Sequence, residues 1–155
     1  LLSDIDVIHL VASARGLITV GNGHRFLARV RAGGIGTNEF DQVPPVLRFF
    51  AGGDQSVRGY GYRTLGPTDE DGDNVGGRFL LTGSVESQYP VSNSWRLASL
   101  VDEGNAFDDL GDPLKTGVGV GIRWVSPVGP IRLDIARGLD EPENFRLHFS
   151  MGPEL

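Results

Sequence analysis

The chain has 155 residues, a formal net charge of −6, 39% hydrophobic residues, 23 glycines and no cysteine. The acidic balance argues against a general nucleic-acid binder, which needs basic clusters to displace counterions, and the lack of cysteine excludes disulfides and thiolate metal sites within it. No apolar run approaches the roughly 20 residues of a spanning helix, a criterion blind to membrane barrels, whose lumen-facing residues dilute the apolar signal.

The sequence begins at Leu1-Leu2-Ser3, with neither an initiator Met nor a signal-peptide pattern, and reads as a piece of a longer product. Ile5–Val20 is β-rich, but its faces cannot be assigned. Gly21-Asn22-Gly23 predicts a tight hairpin with positive φ at the central pair. In His24–Gly36, Phe26, Ala28 and Val30 alternate with Arg25, Arg29 and Arg31. The segment Phe49–Tyr60 is too polar and Gly-rich for a strand core. Thr68–Val75 is an acidic loop apex.

Period-two patterning then resumes. Phe79, Leu81 and Val85 oppose Arg78, Thr82, Ser84, Glu86 and Gln88, with Leu80 breaking the polar face. Trp95, Leu97, Ser99 and Val101 oppose Arg96, Ala98, Leu100 and Asp102, a less clean alternation. In Thr116–Val125, Val118, Val120, Ile122 and Trp124 oppose Gly117, Gly119, Gly121 and Arg123. A turn at Ser126–Pro130 follows, since proline cannot donate to a ladder. Ile131, Leu133 and Ile135 then oppose Arg132, Asp134 and Ala136. Last, Phe145, Leu147, Phe149 and Met151 oppose Arg146, His148, Ser150 and Gly152.

Seven antiparallel strands follow from this pattern. A soluble sandwich would satisfy the same alternation. Three features favour a membrane barrel: arginines recurring on the polar faces, aromatic residues (Tyr89, Trp95, Phe107, Trp124) near strand ends, and turns short on one side and long on the other.

Several segments have no matching chemistry. Asp69–Asn74 looks faintly like a calcium loop, but the twelfth position is Leu80 rather than a bidentate Glu. His9, His24 and His148 lie in separate strands without metal-ligand spacing. Gly52-Gly53-Asp54 lacks the Lys-Ser/Thr of a phosphate loop, and no elbow surrounds Ser56 to pair it with His24. We therefore expect no catalytic residue, no metal and no cofactor.

Val57-Arg58-Gly59-Tyr60 resembles the Val/Ile-Arg-Gly-Phe/Tyr loop tip of the outer-membrane protein-assembly and secretion family, the BamA/TamA group. Leu81–Gln88, Val101–Gly104 and Thr116–Pro130 fit the family in order and spacing, while residues 1–40 add little. Leu114–Gly121 and the ending Phe149–Leu155 resemble the TamA branch. The resemblance implies the C-terminal half of a sixteen-stranded transmembrane β-barrel over residues 1–155, without the periplasmic POTRA domains. It implies a loop folded into the lumen, with Arg58 pairing first with Asp102 and second with Glu86. A charge swap, Arg58→Glu with Asp102→Arg, would then restore function in part.

The implied role is insertion of barrel proteins and autotransporters into the outer membrane of a Gram-negative bacterium. The partners would be client outer-membrane proteins, the lipid bilayer and a TamB-like inner-membrane-anchored protein, with no nucleic acid. A lateral seam would run along the strand Asn144–Pro153, carrying Phe145, Leu147, Phe149 and Gly152. Its end would be limited by Gly152-Pro153, the alternative being that those residues simply end the chain. The alternatives are a two-partner secretion pore of the same superfamily and a soluble β-domain with a binding role. Seven strands leave two free edges, so the isolated piece is expected to oligomerise edge to edge, to misfold, or to exist only within a larger barrel.

Overall fold

The computed structural model describes residues 6–152. Seven strands form one antiparallel sheet in chain order: β1 (Ile8–Val20), β2 (His24–Gly36), β3 (Phe79–Pro90), β4 (Trp95–Phe107), β5 (Lys115–Ser126), β6 (Gly129–Gly138) and β7 (Phe145–Met151). The described residues contain no α-helix. Two short 3-10 turns, Phe40–Gln42 and Pro45–Leu47, lie between β2 and β3. Residues 37–78 form the long connection, and the connections at 108–114 and 139–144 open on the same end of the sheet. The other end carries the tight turns. The first of these departs from expectation: positive φ falls on Gly21 (53°) and Gly23 (91°), with Asn22 between them as a third turn residue.

The ladders put residues of one parity on one face. Arg29, Ser84, Asp102 and Gly117 form one continuous row across β2 to β5. Arg15 pairs with Arg29, and His9 stacks on Phe49 of the long loop at 4.7 Å between ring centroids. These contacts assign β1: His9, Val11, Ser13, Arg15, Leu17 and Thr19 face inward, and Ile8, Leu10, Ala12, Ala14, Gly16, Ile18 and Val20 face outward.

The outward face is apolar and bare. Val120, Leu147 and Ile18 are 62%, 67% and 61% exposed, and Val85, Leu97 and Phe149 are exposed alongside them. No second layer covers this face among the described residues, as a sandwich would require. An apolar band of this extent is solvated by lipid. Trp95 and Trp124 stack at 5.6 Å beside Tyr89 at the tight-turn end, where an aromatic girdle would sit. Phe107 departs from that reading, because it is buried against Phe79 at the other end.

The inward face is filled by the long loop, whose Val43, Phe49, Ala51, Val57, Tyr60 and Leu65 pack on Ile35, Leu80 and Ala106 of the wall. Leu80 interrupts the polar face of β3 because it belongs to this small core.

Candidate functional site

The loop descends from Phe49 to Tyr60 and returns through Leu65, with Ala51 and Leu65 exchanging backbone hydrogen bonds at 3.0 and 2.9 Å. At its tip Gly59 adopts φ +97°, and a Cβ there would strike the Arg137 backbone. The turn is therefore open to glycine only. It aims Arg58, 4% exposed, into the inner wall.

Arg58 is caged by side chains from three strands. Its Nε donates to Asp102 Oδ2 at 2.7 Å and its Nη2 to Asp102 Oδ1 at 2.9 Å. Nη1 donates to Glu86 Oε2 and to Asp134 Oδ2, each at 3.0 Å, and Nη2 reaches Ser84 Oγ at 3.1 Å. The Arg58 backbone N–H adds a bond to Asp102 Oδ2 at 2.9 Å. A second guanidinium, Arg123 on β5, closes the network: Nε donates to Glu86 Oε1 at 2.8 Å and Nη1 to Asp134 Oδ1 at 2.6 Å. Gln88 donates to Glu86 Oε1 at 2.8 Å. Three carboxylates thus share two guanidiniums in a site closed to water. Burial alone would lower the Arg58 pKa, but the Asp102 hydrogen bonds and the surrounding negative charge outweigh it and raise the pKa above its ordinary value. Arg58 is a fixed cation at any working pH.

Glycines make room for the tip. A Cβ on Gly117 would collide with the Arg58 carbonyl oxygen, and one on Gly138 with the Tyr60 ring. Tyr60 donates its one hydroxyl proton to Asp140, with Thr116 O a second acceptor 3.2 Å away. Burial, then the Asp140 bond, raises its pKa, so the hydroxyl remains a donor. Hydrogen bonds from Lys115, then from Tyr60, hold the Asp140 carboxyl below its ordinary value. The tip also touches the last strand. The Gly59 N–H donates to His148 Nε2 at 3.0 Å, which puts the ring proton on Nδ1, 2.5 Å from Asp54 Oδ1.

The structure therefore brings Val57, Arg58, Gly59 and Tyr60 together with Asp102 and Glu86. It adds Ser84, Asp134, Arg123 and His148, which sequence reasoning had placed on polar faces without a role. Phe145, Leu147 and Phe149 lie on the exposed outer face of β7. Gly152 follows the strand, with its N–H bonded to Pro130 O at 3.1 Å. Pro153 lies outside the described residues.

Comparison with known proteins agrees with this architecture. Residues 1–154 match the Omp85 superfamily domain. The chain is 32% identical to the outer membrane protein assembly factor BamA of Nitratidesulfovibrio vulgaris, over 96% of this chain and 20% of that protein. It is 28% identical to BamA of Neisseria meningitidis, over 78% of this chain and 20% of that protein. Its similarity to the chloroplastic outer envelope protein 80 of Arabidopsis thaliana is 32% identity, over 70% of this chain and 15% of that protein. The chain therefore spans about a fifth or less of the length of these curated relatives.

The crystal structure of BamA from Haemophilus ducreyi lacking POTRA domains 1-3 superposes with a TM-score of 0.76 at 21% identity, covering 96% of this chain and 35% of that one, and shares the fold. The bacterial relatives carry the BamA name, so the TamA assignment drawn from Leu114–Gly121 and the tail is not supported, nor is a TamB-like partner. By its match over residues 1–154, and with the fold of a solved relative, this chain belongs to the Omp85 superfamily.

Proposed function

We propose that this chain is the loop-bearing part of a BamA-like outer-membrane β-barrel that folds and inserts other barrel proteins. The observation that carries the reading is the Arg58 cage: one loop residue tied to β3, β4 and β6 through Glu86, Asp102 and Asp134, within a domain of this superfamily. Such a plug fixes the shape of the wall from inside. The protein resides in the outer membrane of a Gram-negative bacterium, and its clients are outer-membrane proteins.

β1 and β7 each expose one unpaired edge in the seven-stranded sheet. Lipid does not tolerate open backbone edges, so other polypeptide pairs with them in the working protein. The β7 edge serves as a lateral seam, where a client strand adds by β-augmentation. His148 supports this role, because it ties the loop tip to β7 through the Gly59 N–H.

The test reconstitutes the full-length protein in lipid vesicles and follows folding of an added, unfolded client barrel protein. The wild type should accelerate client folding and Arg58→Ala should lose most of that acceleration. Passage of a soluble substrate without faster client folding would instead indicate a secretion pore.

A further inference from the structure

The inner wall carries a second cationic cluster that the loop anchor does not use. Arg15 on β1 sits directly opposite Arg29 on β2, and the next inward pair on these strands is Ser13 with Arg31. With Arg132 of β6 they line a cleft of 190 Å³ roofed by Gln55 and Ser56 of the loop. Like charges placed directly across a ladder repel, and arginine cannot relieve the repulsion by losing its proton.

The carboxylates whose charge reaches Arg29, Asp102 and Glu86, are both held in the Arg58 cage. β1 and β2 contain no Asp or Glu. Among the described residues no ion pair joins Arg15, Arg29, Arg31 or Arg132 to a carboxylate. Arg132 Nε instead donates to Ser150 Oγ at 3.0 Å. The carboxylate on the cleft's lining, Glu86, is already held by Arg58 at 3.0 Å and by Arg123 at 2.8 Å. Arg29 is the telling member: its Nη2 is buried and has no hydrogen-bond partner. Native proteins rarely leave a buried polar group of this kind orphaned. Ser13, Ser56 and Thr82 line the same cleft as neutral donors.

We infer that Arg15, Arg29, Arg31 and Arg132 form an oxyanion-binding site on the lumen wall, adjoining the Arg58 anchor, whose Arg58, Ser84 and Glu86 border the same cleft. Planar guanidiniums bind carboxylate and phosphate oxygens in pairs. The ligand is therefore an oxyanion, either a free phosphate-type ion or the acidic side chains of a polypeptide within the lumen.

Isothermal titration calorimetry on the full-length protein in detergent distinguishes the two sources. One arm titrates inorganic phosphate against a chloride background of equal ionic strength, and the other titrates hexaglutamate. Saturable binding of phosphate identifies a small-anion site, and saturable binding of the peptide alone identifies a polypeptide site. In either case Arg29→Gln and, independently, Arg15→Gln should weaken binding at least about tenfold, as expected for loss of one charge-assisted pair. Arg63→Gln, outside the cleft, should leave it unchanged. The inference is overturned if neither probe binds, or if binding survives both cleft substitutions.

Discussion

Arg58 grips Asp102 with two side-chain bonds, Nε to Oδ2 at 2.7 Å and Nη2 to Oδ1 at 2.9 Å, across 44 residues of sequence. The same guanidinium also serves Glu86 and Asp134. Removing it leaves Glu86 and Asp134 to Arg123 and strips Asp102 of its guanidinium partner. Breaking a buried ion pair from one side costs about 3–5 kcal/mol. Arg58→Ala should therefore lower the urea midpoint of the full-length protein strongly, and Arg58→Lys should recover only part, because lysine lacks the planar fork. The charge swap Arg58→Glu with Asp102→Arg, expected from the sequence to restore function in part, should not do so in this cage, since the introduced carboxylate would meet Glu86 and Asp134. Near-wild-type stability of Arg58→Ala would show that the cage does not hold the loop.

The wall must be hollow where the tip enters. Gly117→Val would place carbon where the Arg58 carbonyl lies, whereas Gly16 on the outer face has open space around its Cβ direction. Limited proteolysis within residues 37–78 should thus become rapid in Gly117→Val and stay slow in Gly16→Val. Equal cleavage of the two would mean the loop does not depend on that gap.

His148 accepts the Gly59 N–H and faces Asp54 through its other nitrogen. His148→Ala leaves a buried backbone donor unpaired, a loss of about 1–3 kcal/mol. His148→Gln, which restores an acceptor, should recover part of the lost urea stability. Identical behaviour of the two variants would indicate lost packing rather than lost hydrogen bonding.

On the outer face, Val120→Arg or Ile122→Arg puts a charge into lipid near the middle of β5. The expected penalty is about 2–4 kcal/mol at the bilayer midplane, read as a smaller fraction folded into vesicles. Val120→Leu should insert normally. Unimpaired insertion of both arginine variants would mean that this face does not meet lipid.

Much of this fold was legible because β3 and β5 to β7 keep apolar and polar residues on opposite faces. β1 hid its faces for a physical reason: Val11 and Leu17 point inward, while Ala12, Ala14 and Gly16 point outward, so hydrophobicity does not track the pleat there. Leu80 blurred the polar face of β3 because a loop remote in sequence packs on it. The motif marked Arg58, and the family resemblance pointed to Asp102 and Glu86. Asp134, Arg123 and His148 carried no local signature, since their roles exist only once β5 to β7 bring them beside the tip. A usable hint was Gly117 on an inward face, where a Cβ would fill the space that the Arg58 backbone occupies.

The loop tip is locked inside the wall by the Arg58 cage, and cysteine labelling tests that lock most directly. The 155 residues contain no cysteine, and Val57 is fully buried beside Arg58. A membrane-impermeant maleimide should label Val57→Cys slowly in the folded full-length protein and rapidly once Arg58→Ala is added. Equal, rapid labelling in both backgrounds would contradict the lock.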